Sequence, residues 1–301
     1  MLDKNLLIID IGGTNIRYAY ANIGDTSFVS ENKAELDSLN EFDNLISKLL
    51  SKSDVKNIIF SVAGPKLNNA IKMTNRDFEI NADVIRKKFN LESCFLLNDW
   101  ESIGYSIRAF SQTDFDDFRI GEPFNDTFLV LGPGTGLGAS VIVGDKVIPT
   151  EIGNTNLCLS ALKSSLNINT DKFNVLEDII SGTGISKMYE IKTGTKIKSE
   201  EIFSLSVNGD KDAVEIIDIF TIAFARSLSD LSLMFVSGGG IILAGSLSRS
   251  FLAIANKELF EKYFLDGKTD IHKEILNRIG VKVANKGYTC LFGCLNYVNN
   301  I

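Results

Sequence analysis

Several short stretches of this sequence concentrate residues suited to handling phosphate groups. The first is Asp10-Ile11-Gly12-Gly13-Thr14-Asn15-Ile16-Arg17. Its paired glycines let backbone N–H groups converge on an anion with no Cβ in the way. Thr14 and Asn15 add side-chain donors, and Asp10 is placed to hold a hydrated cation beside a phosphate. The second is Gly132-Pro133-Gly134-Thr135-Gly136-Leu137-Gly138, which repeats the pattern when Thr135 is aligned with Thr14. The third, Gly245-Ser246-Leu247-Ser248, is a small-residue turn leading into a helix, a place where an adenosine or its phosphates can sit. Beside these stand three acids in polar surroundings, Asp99 (preceded by Asn98), Glu151 and Glu177.

Such residues work only if regular elements deliver them. Leu6-Leu7-Ile8-Ile9 is an apolar strand ending on Asp10, and Tyr18-Ala19-Tyr20 returns it, so the Gly-Gly segment reads as a hairpin turn. Helical spacing of Phe42, Leu45, Ile46, Leu49 and Leu50 marks a helix within 35–52. A buried strand follows at 57–63, stopped by Gly64-Pro65, then a short helix at 81–90 capped by Asn81. Strand 94–97 delivers Asn98-Asp99, and a helix through Ile103 and Ile107 comes next. This order implies a mixed sheet with helices on its faces, and open α/β sheets place ligands at the carboxyl ends of strands, where Asp10 and Asp99 both lie.

A second unit begins at Thr127-Phe128-Leu129-Val130-Leu131, turns through the second glycine stretch and returns as Ser140-Val141-Ile142-Val143. The chain therefore reads as internally duplicated, with one phosphate-type hairpin per half and a polyphosphate gripped from both sides. Farther on, 175–180 reads as a helix ending in the turn 181–184, and a long core-facing helix runs from Ala213 to Leu231. Ile241-Ile242-Leu243-Ala244 is a buried strand, followed by a helix through Phe251 and Leu252.

Composition excludes several classes. A net charge of −7 argues against nucleic acid and anionic membranes as partners. Four scattered cysteines and one histidine, His272, argue against zinc and for reduced thiols in a cytoplasmic protein. The N-terminal apolar run is too short for a signal peptide. Leu231 to Ser248 carries no charge, but Gly238-Gly239-Gly240 breaks it as a membrane helix. There is no G-x-x-x-x-G-K-[ST] loop. Gly134 to Ala139 does fit the dinucleotide fingerprint, yet it opens a β-branched strand rather than a helix. Serine and cysteine hydrolases lack their histidine base. Glycoside hydrolysis by two acids would leave the phosphate turns without a role.

As an ordered set, Asp10-x-Gly-Gly-Thr-Asn-x-Arg, Asn98-Asp99, Gly134-Thr135-Gly136-Leu137-Gly138, the loop at Glu151 and Ala244-Gly245-Ser246 resemble the bacterial glucokinase family. That family belongs to the sugar kinase, actin and Hsp70-type ATPase superfamily. The resemblance implies a two-domain α/β protein of actin-like ATPase (ribonuclease H-like) fold, with duplicated mixed sheets flanked by helices and the active site in the interdomain cleft. Residues 1–109 with 286–301 would form the small domain, closed by a helix over about 287–297, and 110–285 the large one. It implies ATP and Mg²⁺ as cofactors and a hexose as substrate, phosphorylated at its 6-hydroxyl. Asp10, Gly12, Gly13, Thr14 and Asn15 match the first phosphate motif, Gly134, Thr135 and Gly136 the second, and Ala244, Gly245 and Ser246 the adenosine motif. Asp99 matches the catalytic base. Asn98, Asp99, Glu151, Asn154 and Glu177 match sugar-binding positions, with Asn75 a further candidate, and Asp10 an outer-sphere magnesium ligand. The family often forms homodimers.

One stretch departs from the family pattern. The sugar loop usually reads Glu-Gly-Gly-His and here reads Glu151-Ile152-Gly153-Asn154. Asparagine donates and accepts hydrogen bonds but is shorter than histidine and cannot become charged, and Ile152 adds bulk where glycine is usual. These changes leave a different hexose or an amino sugar, or a non-catalytic sensor, as alternative readings.

Overall fold

The computed structural model describes residues 4–12, 16–34, 39–73, 79–157, 159–166 and 171–301. By their contacts these divide into two compact units, 1–111 with 286–301 and 112–285.

The first unit is built on β1 (Leu6–Ile11), β2 (Ile16–Ala21), β3 (Val29–Ala34), α1 (Leu39–Leu50), β4 (Asn57–Val62), a small sheet of β5 (Lys66–Leu67), β6 (Ala70–Lys72) and β7 (Glu79–Asn81), α2 (Ala82–Lys88), β8 (Ser93–Asn98) and α3 (Asp99–Ile107). The main sheet has the order β3-β2-β1-β4-β8, antiparallel across the first three strands and parallel from β1 through β4 to β8. Every residue of β1 is buried, because both faces of this central strand are covered. Alternation sorts them: Leu7, Ile9 and Ile11 pack with Phe42 and Ile46 of α1 and Ile85 of α2. Leu6 and Ile8 instead meet Leu291, Cys294, Leu295 and Val298 of the C-terminal helix, Thr289–Asn299. The same alternation turns Asp10 to that second side. The C-terminal helix approaches α3 so closely that a Cβ at Gly293 would overlap the carbonyl oxygen of Ser102.

The second unit contains β9 (Phe115–Arg119), β10 (Thr127–Pro133), β11 (Leu137–Val143), β12 (Lys146–Thr150), α4 (Leu159–Ser165), α5 (Gly182–Thr193), α6 (Ser199–Val207), α7 (Lys211–Phe235), β13 (Gly240–Leu243), α8 (Ser246–Leu252), α9 (Lys257–Leu265), α10 (Asp270–Arg278) and β14 (Val281–Ala284); the C-terminal helix is then α11. Its sheet runs β12-β11-β10-β13-β14-β9. The core gathers Phe220 and Phe224 of α7 against Phe251 of α8 and the sheet residues Leu129, Leu131, Ile241 and Leu243. The uncharged stretch 231–248 resolves into the end of α7, a glycine turn and β13, and among the described residues no helix is long and apolar enough to cross a membrane.

The first five strands of the second sheet repeat the first sheet in order and direction, so the duplication is structural. A finer anchor fixes its register. The N–H of Ala63, just past β4, bonds to the carbonyl of Ile11 at 3.2 Å, and that of Ala244, just past β13, bonds to Leu131 at 3.0 Å. Each alanine is followed by a glycine with positive φ, 143° at Gly64 and 99° at Gly245. Ile11 therefore corresponds to Leu131, and the segments between paired strands are 12–15 and 134–136. The second hairpin is longer, with Gly132–Gly138 and Pro133–Leu137 as added pairs. Thr14, which the sequence aligns with Thr135, lies outside the described residues.

One expected element differs. Residues 176–178 form a single 3-10 turn, and 181–184 begin a helix rather than end one. Ser181 is the N-cap of α5, its hydroxyl accepting the N–H of Gly184 at 2.9 Å. The Ser-Gly-Thr-Gly sequence signalled a turn, but Ile185, Met188 and Tyr189 continue it at helical spacing.

Candidate active site

In the first unit the site residues gather at the carboxyl ends of β1, β4 and β8. Asp10 is buried, with Arg17 Nη1 3.4 Å from its Oδ2 across the hairpin. Burial pushes its carboxyl above the ordinary carboxylate range, against the opposing pull of Arg17 and of hydrogen bonds from Ser61 and Cys290. The network continues inward: the hydroxyls of Ser61 and Ser102 are 2.8 Å apart, and Ser102 Oγ donates to the Asp99 carbonyl at 2.8 Å. The thiol of Cys290, on the first turn of α11, lies 3.9 Å from the same carbonyl. Burial, then the nearby Asp10 and Asp99 carboxylates, hold that thiol protonated well above its usual range.

Asn98 and Asp99 divide the work at the head of α3. Asn98 Oδ1 accepts the N–H groups of Trp100 and Glu101 at 2.9 and 3.2 Å, and Glu101 Oε2 accepts the Asn98 N–H in return, a capping box. Asn98 Nδ2 donates to the carbonyl of Gly64 at 2.8 Å. One amide hydrogen is left for any other partner. Asp99 is the first residue of the helix itself, where the positive end of the macrodipole favours a carboxylate. Gly64, which the sequence offered only as a strand stop, is thus part of the support for Asp99. The signal that could have found it is the Ala63-Gly64 echo of Ala244-Gly245.

In the second unit, a cavity of ≈ 710 Å³ is lined by Gly134 and Thr135 of the second glycine stretch, Gly182 and Thr183 at the start of α5, Lys196, and Ser246 of α8. Two elements far apart in sequence, the expected phosphate turn and the expected adenosine motif, thus share one pocket. Of that motif only Ser246 lines it. Ala244 is buried, and Gly245 supplies the left-handed backbone that starts α8. Gly182, Thr183 and Lys196 were not recognised from sequence. The Ser181 cap would have pointed to the first two, and nothing in the sequence singled out Lys196.

Glu177 and the sugar-loop residues have defined places in the same unit. Glu177 Oε2 accepts the N–H of Leu137 at 3.1 Å. Glu151 and Asn154 are exposed, and Asn154 Nδ2 points to Glu151 Oε2 at 3.4 Å. Ile152 does not crowd this pair. It is buried in the core cluster that contains Leu137 and Leu176, so its added bulk goes inward. Gly153 is obligatory, since a Cβ there would overlap the carbonyl of Leu137. Gly12 is described and half-buried, whereas Gly13, Thr14, Asn15, Asn75 and Cys158 lie outside the described residues.

The donors present fit a nucleotide with magnesium. Nothing lies within 4 Å of where a Cβ of Gly134 would stand, so the turn faces open space, and the cavity falls in the range of about 300–1,000 Å³ usual for small-molecule sites. The carbonyls of Gly134 and Thr135 are bonded by Gly182 N–H and Thr183 Oγ1, while the N–H groups of Thr135 and Gly136 take no protein acceptor among the described residues. Donors left over on a turn suit an anion. Among the described residues no group of three or more His, Cys, Asp or Glu could hold a metal alone. A lone Asp10 carboxylate suits an ion that takes its other ligands from phosphates and water, as Mg²⁺ does.

A family model described as Glucokinase matches residues 7–301. A glucokinase of Rhizobium etli (strain CIAT 652) is 28% identical, over 97% of this chain and 91% of the relative. Among solved structures, a glucokinase from an Antarctic psychrotroph superposes with a TM-score of 0.78 at 20% identity, covering both chains in full. The glucokinase of Balamuthia mandrillaris, solved in complex with glucose, also reaches 0.78 at 20% identity, over 99% of this chain and 94% of that one. The fold is the actin-like ATPase fold of sugar kinases, and the chain belongs to the glucokinase family.

Proposed function

We propose that this protein transfers the γ-phosphoryl group of ATP to the 6-hydroxyl of glucose or a close hexose, with Asp99 as general base. The reading rests on one observation: the family match runs from residue 7 to the chain end, and within it Asp99 stands at the carboxyl end of β8, on the first turn of a doubly capped helix. Phosphoryl transfer passes through a loose transition state, so positioning and charge neutralisation carry most of the catalysis. Asp99 accepts the proton of the 6-hydroxyl and aims its oxygen at the phosphorus. Asn98 fixes Asp99 through the helix cap and offers its remaining N–H to a sugar hydroxyl. Glu151 and Asn154 read further hydroxyls, and a site built on such groups rejects sugars that leave them unpaired. Bound magnesium would neutralise charge on the phosphates, and Asp10 would hold it through water.

A coupled assay of ADP release across a panel of hexoses and amino sugars tests the proposal. Sugar-stimulated release with glucose or a close epimer is the expected outcome. Release only with an amino sugar would reassign the substrate and point to Asn154 as the cause. No release with any sugar would sink the kinase reading and leave a binding protein.

A further inference from the structure

We infer that Glu177 is a positioning residue for the second glycine turn, so that losing it weakens nucleotide binding. The inference rests on the reading of that turn as a phosphate cradle. Within the turn the Gly134 N–H bonds to the Gly136 carbonyl at 2.8 Å, and the remaining support comes from outside it. Pro133 and Leu137 form the pair that closes the hairpin, and Pro133 brings no N–H to it. The Leu137 N–H finds its acceptor outside the hairpin, in Glu177 Oε2 at 3.1 Å.

Three further contacts make this a clasp rather than a single bond. The Glu177 carboxylate fills the space that a Cβ of Gly136 would need, so glycine at 136 is what admits it. A few residues on, Gly182 N–H bonds to the Gly134 carbonyl at 2.8 Å and Thr183 Oγ1 to the Thr135 carbonyl at 2.7 Å. Segment 177–183 therefore holds every residue from 134 to 137, tying the two carbonyls back and leaving the N–H groups of Thr135 and Gly136 for an anion. The same segment is joined to the sugar loop, where Leu176 N–H bonds to the Thr155 carbonyl at 2.8 Å. Glu177 so spends one oxygen on the nucleotide side and keeps Oε1 for another donor.

Calorimetric titration of the full chain with MgADP, without sugar, tests the assignment alongside KM values for ATP and glucose. Glu177→Ala is expected to weaken MgADP binding about tenfold, the scale of one charge-assisted hydrogen bond, and to raise KM for ATP in step. Glu177→Gln keeps an acceptor for Leu137 and should stay within about twofold. Gly136→Ala should reproduce the alanine variant, and the double variant should be no worse than the poorer single, because both break one contact. Unchanged MgADP affinity in Glu177→Ala, or a Gln variant as damaged as the Ala variant, overturns the inference. So does a wild-type chain that binds no MgADP. A wild type that binds MgADP yet phosphorylates no hexose sinks the proposed activity alone, because the titration still reads the clasp.

Discussion

The two hairpins share a frame and differ in what stands beneath the turn. In the first unit the acid comes from the strand itself: Asp10 is buried, paired with Arg17 and joined through Ser61 and Ser102 to the backbone of Asp99. In the second the acid arrives from a separate 3-10 turn, and the turn's carbonyls are held by the Gly182 N–H and the Thr183 hydroxyl at the head of α5. Duplication reproduced the strand order and the Ala-Gly exit of β4 and β13, while the chemistry around each turn diverged. A network of carboxylate, hydroxyls and thiol stands in one unit, and an open cavity with spare N–H donors in the other.

The largest expected effect separates these roles. Asp99→Asn should lower kcat about 10²–10⁴-fold, the usual worth of a general base, while MgADP affinity stays at the wild-type level. That is the reverse of the pattern expected of Glu177→Ala. If Asp99→Asn turns over at the wild-type rate, the chemistry does not lie in the first unit and the contrast collapses.

Asp10→Asn comes next. If the carboxylate holds magnesium through water, activity should fall about 10–100-fold, as for other outer-shell metal partners. Stability should move the other way. Burial raises the Asp10 pKa, so between the ordinary value of 3.8 and the raised one the folded chain binds the proton more tightly than the unfolded chain. The stability contributed by the proton is present below 3.8 and is lost as pH rises through the folded value. Above 3.8 the buried carboxyl group is therefore a cost that a neutral asparagine removes. A thermal melt at pH 7 should show a higher Tm for the variant, and a lower one would mean that the contacts with Arg17 and Ser61 outweigh desolvation.

Gly293→Ala tests how the first unit holds Asp99. The added methyl meets the Ser102 carbonyl and must push α11 away from α3, the helix that begins with Asp99. Overpacking of this kind costs about 1–3 kcal/mol, read as a lower denaturation midpoint, and kcat should fall while MgADP affinity does not. Equal loss of both would show that the damage spreads beyond α3.

Much of this was legible beforehand because it is local. The apolar alternation of β1, the turn glycines, the Asn81 cap and the long stripe of α7 are all read within a dozen residues. What escaped depends on contacts between distant segments. Nothing near Ile152 says that its side chain joins Leu137 and Leu176 in the core. Nothing near Glu177 says that its carboxylate lies beneath Gly136, some forty residues earlier. Asn98 shows the same limit on a smaller scale: the family resemblance suggested a sugar ligand, and only the structure shows most of its hydrogen-bonding capacity spent on the cap of α3 and on Gly64.

The smallest effect is a difference between the units at alkaline pH. The first unit holds Tyr20 and Cys94, each pushed up to about 12 chiefly by desolvation, together with Cys290 and Cys294, whose thiols are raised well above their usual range. In the second unit only Tyr189 is shifted up among the described thiols and phenols. A group with a raised folded pKa stabilises the protein fully below its unfolded value and loses that contribution as pH rises towards the folded one. For the cysteines the loss begins near 9, the ordinary thiol value, and Tyr20 follows from 10. The first unit should therefore loosen before the second as pH is taken from 8 towards 11. Trp100, the single tryptophan, lies on the first turn of α3 and reports on that unit alone. Its denaturation midpoint should fall with pH ahead of the loss of helical circular dichroism, most of which comes from the second unit's longer helices. Coincident transitions at every pH would show that the two units unfold as one, and that the shifted thiols and phenol of the first set the alkaline limit for both.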